Sequence, residues 1–222
     1  SDWSSDVCSS DLATFRSGEG LIAEADTAQK VELPRTADGR PIETRMLWVH
    51  SMTYDTPEEA RDIVRRAKAA RLNVVCPDIY VSALFQAKSE RYPSLSNPDD
   101  PLELLIKAAE GSGLEVHAWF CVTHINPAML ADIVPGVELI MRGGEPGKGK
   151  VDVHRKEYRD FIVSLIEEVA TNYEVDGVLL DYIRSMGTCY CDDCRREFRA
   201  AFGKPIEEAT DDDLEEWHAR AV

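Results

Sequence analysis

Val175-Asp176-Gly177-Val178-Leu179-Leu180-Asp181-Tyr182-Ile183-Arg184 is the stretch on which the fold turns. Its middle is a short apolar run without alternation, the mark of a strand buried on both faces of a parallel sheet. A carboxylate inside a dry core is costly unless it is paired. Asp181 therefore fits best at the carboxyl end of a barrel strand, where side chains emerge into a cleft and catalytic groups sit. Strand periodicity puts Gly177, Leu179 and Asp181 on one face and Asp176 on the other. Asp181 is the chemical candidate and Asp176 a structural one.

Working outward, the same pattern repeats. Met46-Leu47-Trp48-Val49-His50 reads as a first strand. Thr56-Pro57-Glu58-Glu59 has a cap, a proline at the first turn and a glutamate three residues after the cap, which predicts a helix start. Ala60, Ile63, Val64 and Ala67 give that helix one apolar face. Val74 to Tyr80 reads as a second strand, weakened by Pro77 unless it lies at the strand's end. Asp100-Pro101-Leu102-Glu103 is another cap signature, with Leu102, Leu105, Ile106 and Ala109 buried behind it. Leu114 to Val122 is the third strand, followed by a long Pro- and Gly-containing loop to about Lys150. A third helix carries Tyr158, Phe161, Ile162, Leu165, Ile166 and Val169 on one face and delivers the chain to Asp181. Asp211-Asp212-Asp213-Leu214 opens one more helix near the end.

Strand and helix alternate four times, so the sheet should be parallel with right-handed helical crossovers. His50-Ser51-Met52-Thr53-Tyr54 after the first strand is no dinucleotide fingerprint. The expected fold is α/β: a partial (β/α)8 barrel of the first four to five βα units. Half a barrel leaves two open edges and an uncovered core. Residues 13–222 alone are accordingly expected to aggregate or to stay molten.

The 222 residues carry a net charge of −16, with 44% hydrophobic and 30% charged side chains. This is a globular composition. The negative charge argues against nucleic acid and anionic membrane surfaces as partners. No apolar run is long enough to span a bilayer. Residues 1–12 resemble a translated sequencing adapter and are set aside as an artefact. Residues 13–44 read as an irregular lead-in, and 45–222 as the barrel portion, truncated at its C-terminus.

Leu47-Trp48-Val49, the Pro101-Leu102-Glu103 helix start, Val116-His117-Ala118-Trp119-Phe120 and the Asp181 stretch together resemble the family 10-like glycosyl hydrolases. The resemblance covers roughly residues 45–222 and is most specific at the Asp181 motif and the His-Ala-Trp-Phe strand. Cys76-Pro77-Asp78 departs from the family pattern. The resemblance implies a bacterial TIM-barrel protein, often exported or periplasmic, that cleaves cell-wall glycan or another polysaccharide. A fragment of such an enzyme is expected to be inactive alone.

Glycosidases need two carboxyl groups, one as proton donor and one as nucleophile or base. Asp181 is placed like the strand-four nucleophile of several barrel glycosidases, with Arg184 close in sequence to keep it ionised. Asp78, ending strand two, is the best remaining carboxyl, although the second catalytic carboxylate is expected beyond Val222. Sugars bind by stacking on aromatic rings beside hydrogen-bonding groups. The expected substrate-binding set is His50, Asp78, Tyr80, Trp119, His124, Tyr182 and Arg184.

Cys189-Tyr190-Cys191-Asp192-Asp193-Cys194 leaves three readings open. Its C-x-C-x-x-C spacing could supply three zinc ligands, with no fourth evident nearby and His218 a distant possibility. A disulfide would suit an exported protein. Alternatively Cys191, Cys194, Phe198 and Phe202 form the buried stripe of a short helix. The expectation is no metal, with zinc at Cys189, Cys191 and Cys194 as the alternative, and no cofactor. The functional expectation is a glycoside hydrolase. Its rivals are a non-catalytic carbohydrate-binding barrel and a metal-dependent barrel enzyme using the cysteines.

Overall fold

A computed structural model describes residues 39, 43–82, 84–124, 126 and 130–221. The adapter-like stretch and nearly all of the expected lead-in lie outside the described residues. Thr44–Val222 forms one compact unit. Its sheet contains β1 (Met46–Val49), β2 (Val74–Val81), β4 (Glu115–Cys121) and β7 (Gly177–Asp181) as parallel neighbours in that order. The helices α1 (Pro57–Ala69), α2 (Pro101–Ala109) and α3 (Lys156–Asn172) make the crossovers. Two further helices, α4 (Asp192–Phe202) and α5 (Asp211–Ala219), follow β7.

Each new parallel strand is added on the same side of the last. A doubly wound sheet reverses its order at a switch point, whereas a barrel does not. The fold is therefore part of a (β/α)8 barrel, as the alternation predicts. Among the described residues β1 and β7 are the outer strands of this run. Trp48 and Met52 are exposed near one of them, and Val178, Leu180 and Ile183 at the other. No described helix is long and apolar enough to cross a membrane.

The core is double. The larger cluster lies between sheet and helices and includes Ala60, Val64, Leu102, Leu105, Phe161 and Leu165. The smaller one, on the inner face of the sheet, is Cys76, Trp119 and Cys121, with Leu179, Val81 and Tyr182 packed against it. The Thr56 capping box forms as read. The Thr56 hydroxyl accepts the Glu59 N–H (3.2 Å), and the Glu59 carboxylate accepts the Thr56 N–H (3.0 Å). Asp176 is structural: its Oδ2 accepts the Val116 N–H at 2.8 Å.

Three local expectations need correction. Asp100 does not cap α2, because its backbone is left-handed (φ 52°) and turns its side chain away. That carboxylate instead accepts the Tyr173 hydroxyl at 2.9 Å. Pro77 lies inside β2 rather than at its end. It pairs with Val49, the last residue of β1, so the missing N–H falls where that neighbour stops. The long loop before α3 contains an antiparallel hairpin, β5 (Glu138–Ile140) and β6 (Pro146–Val151). A two-residue strand, β3 (Leu84–Phe85), also folds back on the end of β2. Gly- and Lys-rich strands such as Pro146–Val151 lack the apolar alternation that would reveal them.

Candidate active site

β2, β4 and β7 point alternate side chains into the barrel interior. Asp78 is level with Trp119, and Trp119 with Leu179, while Asp181 pairs with Cys121 two residues nearer the mouth. Asp78 and Asp181 thus lie two strands apart, about 9.5 Å sideways and about 7 Å along the strands at the backbone.

Asp78 is 3% exposed. Burial raises its carboxyl to about 7, and the negative charge of Asp181 adds to the rise. Among the described residues its buried Oδ1 has no hydrogen-bond partner. Burial and the Asp78 charge also push the neighbouring Cys76 thiol up to about 12. Cys121 is raised by the same causes, with Asp181 contributing as well. The floor of this cavity is therefore a desolvated place that favours neutral groups.

Asp181 is half-buried, and its Oδ1 accepts the Tyr182 N–H at 2.7 Å. Tyr182 adopts a left-handed backbone (φ 54°), which non-glycine residues seldom do. The Thr123 hydroxyl holds its carbonyl. Strain of this kind concentrates at functional positions, where surrounding contacts over-determine it.

Aromatic groups flank the pair on two sides. Trp119 lies 5.1 Å from Trp48 and 5.6 Å from His50, ring centre to ring centre. His124 lies 5.2 Å from Tyr182. Trp119 is almost fully buried, its indole nitrogen unpartnered, whereas Trp48 is 53% exposed. Trp48, which sequence reasoning did not assign to the site, is the exposed ring at this end. Its position two residues before His50 in an inward-facing alternation was the available signal.

Two predicted site residues do not join this group. Tyr80 is fully buried on the helix side, edge-on to Phe161 at 6.1 Å. An irregularity between Asp78 and Tyr80 breaks the alternation that would have turned it inward. Arg184 does not pair with Asp181. The left-handed Tyr182 ends the strand's alternation, the Arg184 N–H bonds back to the Tyr182 carbonyl (2.8 Å), and its guanidinium stacks over the Tyr182 ring at 5.0 Å. Of the others, Asp78 feels the Asp181 charge, Trp119 and Tyr182 share the inner-face cluster, His50 lies against Trp119 and His124 against Tyr182.

A second cluster lies in the loops after β4 and β7. Asp152, Cys189, Cys191 and Cys194 place one potential ligand atom each within 4.8 Å of all the others. The three cysteines are free thiols. Cys191 caps α4, its sulfur accepting the Cys194 N–H (3.4 Å), rather than joining the helix stripe. His218 bonds to Thr188 and His154 and is not part of the cluster.

An α-L-fucosidase (isoenzyme 2) from Paenibacillus thiaminolyticus superposes with a TM-score of 0.58 at 17% identity, covering 81% of this chain and 29% of the fucosidase chain. A β-N-acetylhexosaminidase from Bacteroides fragilis gives 0.57 at 15% identity, covering 79% and 38%. A hypothetical protein from Ruminiclostridium thermocellum gives 0.55 at 16%, covering 74% and 93%. These likenesses speak to the fold, and the chain spans about a third of the length of the two glycosidases. No curated protein matches the sequence. The sequence profile of the family glycosyl hydrolase-like 10 matches residues 44–222, most of the chain. The chain belongs to the glycosyl hydrolase-like 10 family.

Proposed function

We propose that the protein is a glycoside hydrolase acting on a polysaccharide or cell-wall glycan, with Asp181 and Asp78 as its working carboxyl pair. The observation that carries this reading is the raised carboxyl of Asp78, buried on the same inner surface as the charge of Asp181. A carboxyl kept protonated by burial near a second carboxyl is what acid–base division of labour requires. In this reading Asp78 holds a proton near neutral pH and donates it toward the glycosidic oxygen. Asp181, at the strand end, acts as nucleophile or as base toward water. Trp48 and His50 on one side, with His124 and Tyr182 on the other, supply stacking and hydrogen bonding for sugar rings. Membership of the family and a glycosidase-type barrel support the substrate class.

The test uses the protein at its full natural length. Release of reducing sugar is followed from peptidoglycan glycan strands and a panel of polysaccharides, for wild type, Asp181→Asn and Asp78→Asn. Asp181→Asn is expected to lose at least about a hundredfold in kcat/KM. Asp78→Asn is expected to lose activity and, in what remains, the alkaline limb near pH 7. Wild-type protein that binds glycan without cleaving it would make the barrel a binding module and defeat the proposal.

A further inference from the structure

The cysteine cluster plays no part in the carboxyl chemistry, and its members come from distant parts of the chain. Asp152 directly follows β6, and 36 residues separate it from Cys189. We infer that Asp152, Cys189, Cys191 and Cys194 bind one zinc ion in a closed structural site that fastens the β5–β6 hairpin to the loop leaving β7.

The geometry is that of a tetrahedral site. Zinc with about 2.3 Å bonds to sulfur and about 2.0 Å to oxygen sets ligand atoms about 3.8 Å (S to S) and about 3.5 Å (S to O) apart. The Cys194 sulfur lies 3.1 Å and the Cys191 sulfur 3.9 Å from Asp152 Oδ2. These separations bracket the requirement, and all four atoms fall within 4.8 Å. Asp152 is 2% exposed, and its Oδ2 faces the sulfurs of Cys191 and Cys194 rather than solvent. Three thiolates favour zinc over magnesium or calcium, which take oxygen ligands. Four protein ligands leave no open position, so the site is structural rather than catalytic.

The surroundings are arranged for bound ligands. The Ile140 N–H donates to the Cys189 sulfur and the Cys194 N–H to the Cys191 sulfur, each at 3.4 Å. Backbone N–H groups directed at sulfur are the outer contacts that metal-bound cysteines accept, and Cys191 and Cys194 sit at the start of α4. The His154 N–H holds Asp152 Oδ1 at 3.0 Å, which turns Oδ2 toward the sulfurs. The His154 ring in turn stacks flat on Trp217 of α5, 3.9 Å away. Both tethered loops follow the carboxyl ends of strands, the barrel face that carries Asp181.

The site is independent of the glycosidase reading and is tested without it. The protein at its full natural length is analysed for zinc by elemental mass spectrometry, then stripped with chelator and reloaded with Co²⁺. About one zinc per chain is expected, with the thiolate charge-transfer absorption and intense visible bands of tetrahedral cobalt. Cys194→Ser and Asp152→Ala should each weaken cobalt binding at least tenfold. Where a variant fails to fold, the cobalt spectrum of the unmodified chain decides alone. Zinc below about a tenth per chain with an octahedral-type cobalt spectrum overturns the inference. So does a disulfide among the three cysteines in protein purified without reductant.

Discussion

Replacing Asp78 by Asn leaves shape almost unchanged and removes a buried carboxyl from the barrel floor. Its proton affinity makes a pH-dependent stability prediction. The folded value of about 7 exceeds the ordinary 3.8, so the folded state holds the proton more tightly than the unfolded state. The stabilisation tied to that proton is complete below about pH 4 and is lost as pH rises through about 7. Three units at about 1.4 kcal/mol each set a ceiling of about 4 kcal/mol. His154 works in the opposite sense: burial lowers it to about 4, so its contribution is lost as pH falls from 6.5. Subtracting wild type from Asp78→Asn cancels His154 and every other unaltered group. The assay is urea unfolding at half-unit steps from pH 4 to pH 8. The variant should match wild type near pH 4 and exceed it increasingly up to pH 8, by as much as about 4 kcal/mol. Asp181→Asn should shift this rise to lower pH without abolishing it, because burial is the larger cause and the Asp181 charge the smaller. A difference that stays constant within about 0.5 kcal/mol from pH 4 to pH 8 would refute the reasoning.

Two further perturbations test the frame around the site. Glu168, buried on α3, accepts the Ser89 hydroxyl (2.6 Å) and the N–H groups of Glu90 (2.7 Å) and Arg91 (3.2 Å). Glu168→Ala should cost about 3 kcal/mol in thermal or urea unfolding and speed proteolysis at residues 88–92. Gly177 faces the His117 ring so closely that an added Cβ would lie 3.0–3.1 Å from it. Gly177→Ala should cost about 1–2 kcal/mol and displace the imidazole from Glu115, now 2.9 Å away. Unchanged stability together with an unchanged His117 NMR shift would count against that contact.

The barrel was legible because its signals are local and repeated. The Thr56 capping box, the apolar stripes of α1 and α3 and the apolar runs of the four strands each announce themselves within a dozen residues, although the Asp181 strand, read as buried on both faces, leaves Val178 and Leu180 exposed on its outer one. Asp181 and its inward face followed from a period of two over five residues. What escaped was set by single-residue departures and by distance along the chain. The irregularity after Asp78 carried Tyr80 to the helix side, and nothing in Pro77-Asp78-Ile79-Tyr80 marks it. The left-handed Tyr182 took Arg184 away from Asp181, again with no glycine to announce the turn. Asp152 could not be matched to three cysteines so far downstream without the hairpin that brings them together.

The break in β2 also acts as a phase shifter. Cys76 and Asp78 face the cavity, Ile79 and Tyr80 both pack among the helices, and Val81 faces inward again. One extra residue thus separates two questions that a regular strand ties together: which groups line the cavity below, and which line it above. With a uniform alternation, Tyr80 would project into the cavity just beyond Asp78 and Val81 would turn out into the helical layer. The width of the space over Asp78 is therefore governed by chain length in this strand as much as by any side chain. A single-residue deletion between Asp78 and Val81 would reshape that space more than most substitutions in it, and relatives differing by one residue here would present a different cavity on an otherwise shared sheet.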